Sequence, residues 1–318
     1  MARATPRALS RITVLAAGVS AWSCSEAPAA RPAQVLLVLV DTLRADHLGC
    51  LGHPRAPTPA IDSVAEHGVI FEEAYAQCSW TSPSIVSLFT GRRVAEDRLD
   101  LPAALPTLAE SFHGAGWATG AFIMNDMVNA EQGFARGFDH FEQMVPYSEN
   151  KPILGWLAAH AAERAFTYVH LNEVHDPYLA PDGHVCIPAS TGSGSSACPG
   201  CSRAARQAPD PLPAEERSYY ERVTRELALQ GDLEAEVRHI ETERGGYVDD
   251  VRYTDARIGG LLEGLEALGL AERTCVVITA DHGEGLWTRV AMMTGQRGKA
   301  LARGEPPRLT NKIGRAHV

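Results

Sequence analysis

The chain has 318 residues, 45% of them hydrophobic, and a formal net charge of -10. That length and apolar content suffice for one large α/β domain or two small ones. The acidic balance excludes a general nucleic-acid binder, because a phosphate backbone would be repelled unless a strong local basic patch existed, and none is present. An anionic substrate must therefore be held by a local metal and a few placed donors.

Arg3, Arg7 and Arg11 precede an apolar run over 12–22. That run is too short for a stable membrane helix, so residues 1–23 read as an export signal. Cys24 leaves two processing routes open, lipidation as the first mature residue or ordinary cleavage nearby. Residues 24–33 form a Pro/Ala linker. No other stretch is long and apolar enough to cross a membrane. The expected location is therefore exported, periplasmic or an outer-surface lipoprotein, with a lipid on Cys24 as the one membrane contact.

A β-branched apolar run over 35–40 predicts a buried parallel strand that stops at Asp41. Pro57-Thr58-Pro59 opens a short helix through Ile61, Val64 and Ala65. Trp80-Thr81-Ser82-Pro83-Ser84 then places a hydroxyl where a helix begins, and that helix runs to Gly91. A helix over 105–113, a strand over 118–123 and a strand over 166–171 follow, in the alternation of a wound sheet.

Residues 181–213 form a Gly/Ser/Pro-rich insertion holding Cys186, Cys198 and Cys201, three of the seven cysteines. A lone Cys-x-x-Cys without a second pair reads as a stapled surface loop in an exported chain rather than a zinc site. Residues 214–243 are mostly helical and solvent-facing. A second helix over 247–268 carries Val251, Ile258, Leu261, Leu262, Leu265 and Leu268 on one stripe and ends at Gly269. The strand over 275–279 stops at Asp281-His282-Gly283-Glu284.

Two strands that each deliver an acidic residue to the carboxyl edge of a sheet, with a hydroxyl at a helix start between them, read as a metal-held nucleophile. The order and spacing of Asp41-Thr-Leu-Arg-Ala-Asp46, Thr81-Ser-Pro-Ser84, Gly116-Trp-Ala-Thr119, Gly137-Phe-Asp139, His175-Asp-Pro-Tyr178 and Asp281-His-Gly-Glu284 resemble the sulfatase family of the alkaline phosphatase superfamily. The resemblance runs from about residue 34 to about residue 286. It implies an alkaline-phosphatase-like α/β sandwich, a largely parallel central sheet flanked by helices, with 34–286 as the catalytic domain.

The resemblance also implies a site. Asp41, Asp281 and His282, with the Thr81 oxygen, form the expected metal shell, a donor set suited to one divalent ion such as Ca, Mg, Mn or Zn. Formylglycine sulfatases carry Cys or Ser where this chain has Thr81, and an Arg where it has Ile85. Threonine cannot be converted to that aldehyde, so no formylglycine is expected. Threonine in this slot resembles the phosphoryl-transfer branches of the superfamily, such as nucleotide phosphodiesterases and phosphoethanolamine transferases. Thr81 is then the expected nucleophile, since a divalent ion that lowers the pKa of water from 15.7 to about 7 should act on an alcohol in the same sense.

His175 resembles the family histidine that donates to the transferred group or assists the leaving oxygen. His170 and Asn125 complete the catalytic candidates, Asn125 falling where classical sulfatases carry a Lys-x-His pair. Arg44 reads as a helix-start salt bridge. The function expected is hydrolysis or transfer at a phosphate ester or phosphodiester of an anionic substrate. The alternatives are a conventional arylsulfatase-like hydrolase and a non-catalytic surface lipoprotein that keeps the fold.

Residues 287–318 depart from the family pattern. They are basic and poor in strands, and the last six read like the translated end of a sequencing adapter. The expectation is a truncated or frame-slipped tail with the carboxyl-terminal subdomain missing.

Overall fold

The computed structural model describes residues 33–53, 58–95, 97–176, 178 and 233–286, of which 233–240 and 243 are described through their backbone alone. The export signal, Cys24, most of the linker, the insertion at 181–213 and the tail at 287–318 lie outside the described residues.

Five parallel strands make one sheet, β1 (Gln34–Val40), β2 (Ala118–Ile123), β3 (His140–Gln143), β4 (Ala165–Leu171) and β5 (Thr274–Ala280), in the order β3-β2-β4-β1-β5. The register is in step across its centre: Val40 pairs with Leu171 on one side and with Ala280 on the other. The three strands therefore end level, and the residues that follow them leave the sheet side by side.

Alternation along each strand serves two cores. Leu36, Val38, Val40, Phe122, Val169 and Leu171 face α1 (Pro59–Glu66), α4 (Lys151–Ala159) and α5 (Leu233–Ala267), represented by Ile61, Ile153, Leu157, Tyr247, Val251, Ile258, Leu261 and Leu265. Leu37, Leu39, Ala121, Ile123, Phe166 and Tyr168 face α2 (Thr81–Thr90) and α3 (Leu108–Gly114) through Ile85, Val86, Phe89 and Ala109. Each fully buried side chain of this kind contributes about 1.5 to 3 kcal/mol. A sheet covered on both faces explains why β1 reads as a continuous apolar run rather than an alternating one. Strand β5, at the sheet edge, is different: Val276 and Ile278 pack on the first core, while Cys275 and Val277 are exposed.

Four of the five strands and helices α1, α2 and α3 lie where the sequence pattern puts them, with ends shifted by at most three residues. Helix α3 starts at Leu108 rather than 105 because Thr107 and Glu110 form a reciprocal capping box. Strand β3 and helix α4 carry no pattern long enough to announce them. The expected pair of helices at 214–243 and 247–268 is corrected to the single helix α5 over its described length. The Gly245-Gly246 break that separates them in the sequence is absorbed. A Cβ on Gly246 would sit 3.0 Å from the Tyr178 Cβ, so glycine there permits close approach rather than ending the helix.

Candidate active site and metal centre

Asp41 and Asp281 are the first residues beyond the paired Val40 and Ala280, and both are buried. Asp281 Oδ1 accepts hydrogen bonds from the backbone N–H of Thr42 (3.2 Å) and of His282 (2.8 Å). The two strand ends are thereby tied together. Arg44 ties them a second time: its guanidinium pairs with Asp46 and donates to the Glu284 carbonyl at 2.9 Å. The expected salt bridge is present and also joins the two loops.

Helix α2 arrives from the opposite side. Trp80, extended at φ -159°, is its N-cap, so Thr81 is the first helical residue and its hydroxyl is not used as a cap. Instead Thr81 Oγ1 lies 3.3 Å from His282 Nε2 and 3.4 Å from Asp41 Oδ2. Pro83 suits the first turn, where its missing N–H costs nothing. Gly91, at φ +62°, ends the helix.

The donor set fits a cation. Ligand atoms of Asp41, Asp281 and His282 lie within 4.8 Å of one another, and Asp41 Oδ1 and Asp281 Oδ2 are buried without a hydrogen-bond partner among the described residues. His282 Nδ1 lies 3.0 Å from the Gly283 carbonyl. Donation there leaves the Nε2 lone pair facing the carboxylates, 3.4 Å from Asp281 Oδ2 and 3.7 Å from Asp41 Oδ1.

The electrostatics agree. Burial pushes the Asp281 carboxyl up, and the neighbouring Asp41 charge adds to it. Burial acts on Asp41 in the same sense, but His170, His282 and His175 outweigh it and hold Asp41 at about 2. Burial also disfavours charge on His282, yet Asp281 and Asp41 raise its pKa. Two carboxylates crowded against one imidazole are an environment that a cation relieves.

Behind Asp41 stand three supports. Asn125 Nδ2 donates to Asp41 Oδ2 at 2.5 Å and to Asn172 Oδ1 at 3.1 Å, while its Oδ1 accepts from the Met127 N–H. His170 is fully buried, with Nε2 3.5 Å from Asp41 Oδ2. The Tyr168 hydroxyl lies 3.1 Å from His170 Nδ1, and burial raises its pKa well above the ordinary value, so it donates and fixes the ring with its Nε2–H toward Asp41. His175, by contrast, is only half-buried, on the loop after β4. That loop is anchored by Glu173, buried and paired with Arg257, whose Nε also donates to Asn150.

All seven sequence-derived candidates thus gather at the carboxyl edge of one sheet, but at different depths. Thr81 stands beside the three expected ligands, His175 on the outer loop, and Asn125 and His170 behind Asp41. The sequence reading missed Tyr168, Asn172, Glu173 and Arg257. Tyr168 had a signal, because it lies two residues before His170 and so on the same face of a strand. The others are read as core or loop until their distant partners are known.

The family model described as Sulfatase matches residues 33–308. Human Arylsulfatase A is 29% identical over 319 aligned positions, which cover 87% of this chain and 55% of that protein. Among solved structures, the carboxyl-terminal periplasmic domain of EcEptC from Escherichia coli, in complex with Zn, superposes with a TM-score of 0.53 at 18% identity over 80% of this chain and 65% of that one. The phosphonate monoester hydrolase of Agrobacterium radiobacter gives 0.52 at 19% over 81% and 63%. The chain spans about half the length of the curated relatives it matches.

Proposed function

Since its model covers residues 33–308, the chain belongs to the sulfatase family, and from that premise we propose that it is a metal-dependent ester hydrolase whose nucleophile is the Thr81 hydroxyl, acting on phosphate monoesters or diesters in preference to sulfate esters. The observation that carries this reading is the place of Thr81 Oγ1, 3.3 Å from His282 Nε2 and 3.4 Å from Asp41 Oδ2. One divalent ion held by Asp41, Asp281 and His282 would lower the pKa of the hydroxyl beside it and offset the charge of an anionic ester.

The chain's own residues supply the rest. Thr81, fixed in the first turn of α2, gives its hydroxyl proton to solvent and attacks phosphorus: the Thr81 O–P bond forms, the ester P–O bond breaks, and water then cleaves the phosphothreonine, returning the Thr81 hydroxyl and releasing the phosphate. The free N–H groups and positive end of α2 face the transferred anion. To His175, on the outer loop, this proposal assigns the proton given to the departing oxygen. Asn125 and His170, both directed at Asp41, hold that carboxylate rather than touch the ester.

Threonine at position 81 supports phosphoryl over sulfuryl transfer, since it cannot become formylglycine and Ile85 stands where the sulfatase motif has Arg. The conventional sulfatase reading rests on a different observation, the 29% identity to Arylsulfatase A. In the same proposal residues 34–286 are the catalytic domain behind an export signal at 1–23, processed by lipidation at Cys24 or by ordinary cleavage nearby. A panel of aryl sulfate, phosphate monoester and phosphodiester substrates decides between the two enzymes. Phosphate cleavage should exceed sulfate cleavage, and the reverse ranking would restore the sulfatase reading.

A further inference from the structure

Thr42 directly follows Asp41 and has φ +58°, in the left-handed region that a β-branched residue rarely enters. That conformation is strained, and the surroundings must hold it. Its N–H donates to Asp281 Oδ1 (3.2 Å) and its hydroxyl donates to the Val174 carbonyl (2.8 Å). The Tyr247 hydroxyl, reaching in from α5, donates to the Thr42 carbonyl (2.9 Å) and accepts from the Arg44 N–H (2.8 Å). Two peptide groups of the turn are thereby closed by one oxygen.

Tyr247 is itself held. It is fully buried, its ring stands edge-on to His47 at 5.0 Å and to Tyr178 at 5.6 Å, and Gly246 before it lets α5 approach the Tyr178 loop. Burial raises its pKa far above the ordinary phenol value, so the hydroxyl keeps its proton and its donor role.

We propose that Tyr247 is a positioning residue for the ion site, holding the Thr42 turn in its left-handed conformation so that Asp41 and Asp281 converge. This rests on the metal reading above. If the turn relaxed to negative φ, the Thr42 N–H would leave Asp281 and the Asp41 side chain would swing with it. The packing of Tyr247 looks like ordinary core, and only the two hydrogen bonds of its oxygen reveal the second task.

The test compares Tyr247→Phe with Tyr253→Phe, which removes from the same helix a hydroxyl remote from the turn that donates to the Tyr147 carbonyl at 3.4 Å. Manganese(II) binding and amide hydrogen exchange are measured on the whole chain. Tyr247→Phe should bind the ion about tenfold more weakly than wild type, the lower end for residues that orient metal ligands. The Arg44 amide should exchange faster, and Tyr253→Phe should change neither. In a Thr42→Gly/Tyr247→Phe protein, glycine adopts positive φ freely and affinity should partly return. Unchanged affinity in Tyr247→Phe, or no recovery in the double variant, would overturn the proposal. A wild-type protein that takes up no ion would overturn the metal reading as well.

Discussion

Asp281 accepts a hydrogen bond from the backbone N–H of Thr42, so the carboxylate that ends β5 is built into the turn that carries Asp41. The two acidic groups are held close by backbone, and the one basic side chain that faces both is His282. This arrangement stores repulsion that an ion would release, and it separates the stability of the site from its function.

Asp281→Asn should therefore act in opposite directions with and without ion. An asparagine Oδ1 can keep both N–H bonds while the second buried charge disappears, so the ion-free variant should melt at a higher temperature than ion-free wild type. With ion at one hundred times its dissociation constant, wild type gains about 2.7 kcal/mol and should overtake the variant. Thermal unfolding with chelator and with added divalent ion reads the crossing. The same order under both conditions would count against a shared ion.

A second carboxylate on α5 gives a prediction for pH. Asp255 accepts from the Ala60 and Ile61 N–H groups at the start of α1, and burial pushes its pKa to about 6 despite those bonds. The folded protein then binds this proton more tightly than the unfolded chain does. Its contribution to stability is present at low pH and is lost as pH rises from about 4 through about 6. Asp255→Asn lacks that slope. Urea unfolding at pH 4 and pH 7 should show the variant gaining on wild type at the higher pH, and parallel behaviour would refute the assignment.

The site was legible in the sequence where its signals are local. Asp41 and Asp281 each end an apolar strand, Thr81 opens a helix before a proline, and His282 adjoins Asp281. Parallel register, set by the strands themselves, then brings these residues together. What stayed hidden depends on partners far away in the chain. Tyr247 reads as one more apolar position of α5, and its two partners lie about two hundred residues earlier. Glu173 and Arg257 carry no local signal, and in the fold they are buried and paired with each other. The two helices expected at 214–243 and 247–268 are one over the described residues, and close approach to Tyr178 gives Gly246 a use other than ending a helix.

The central claim is that the Thr81 oxygen forms the bond to the transferred group, and turnover of Thr81→Ala on the best phosphate ester tests it most directly. Loss of the side chain should leave folding and ion uptake intact, because Trp80 and not Thr81 is the helix cap and Asp41, Asp281 and His282 remain. In Thr81→Ala kcat/KM should fall about a thousandfold or more, about 4 kcal/mol in the barrier, and residue 81 of the wild type should be unmodified by mass. Near-normal turnover by an ion-loaded Thr81→Ala protein would contradict it.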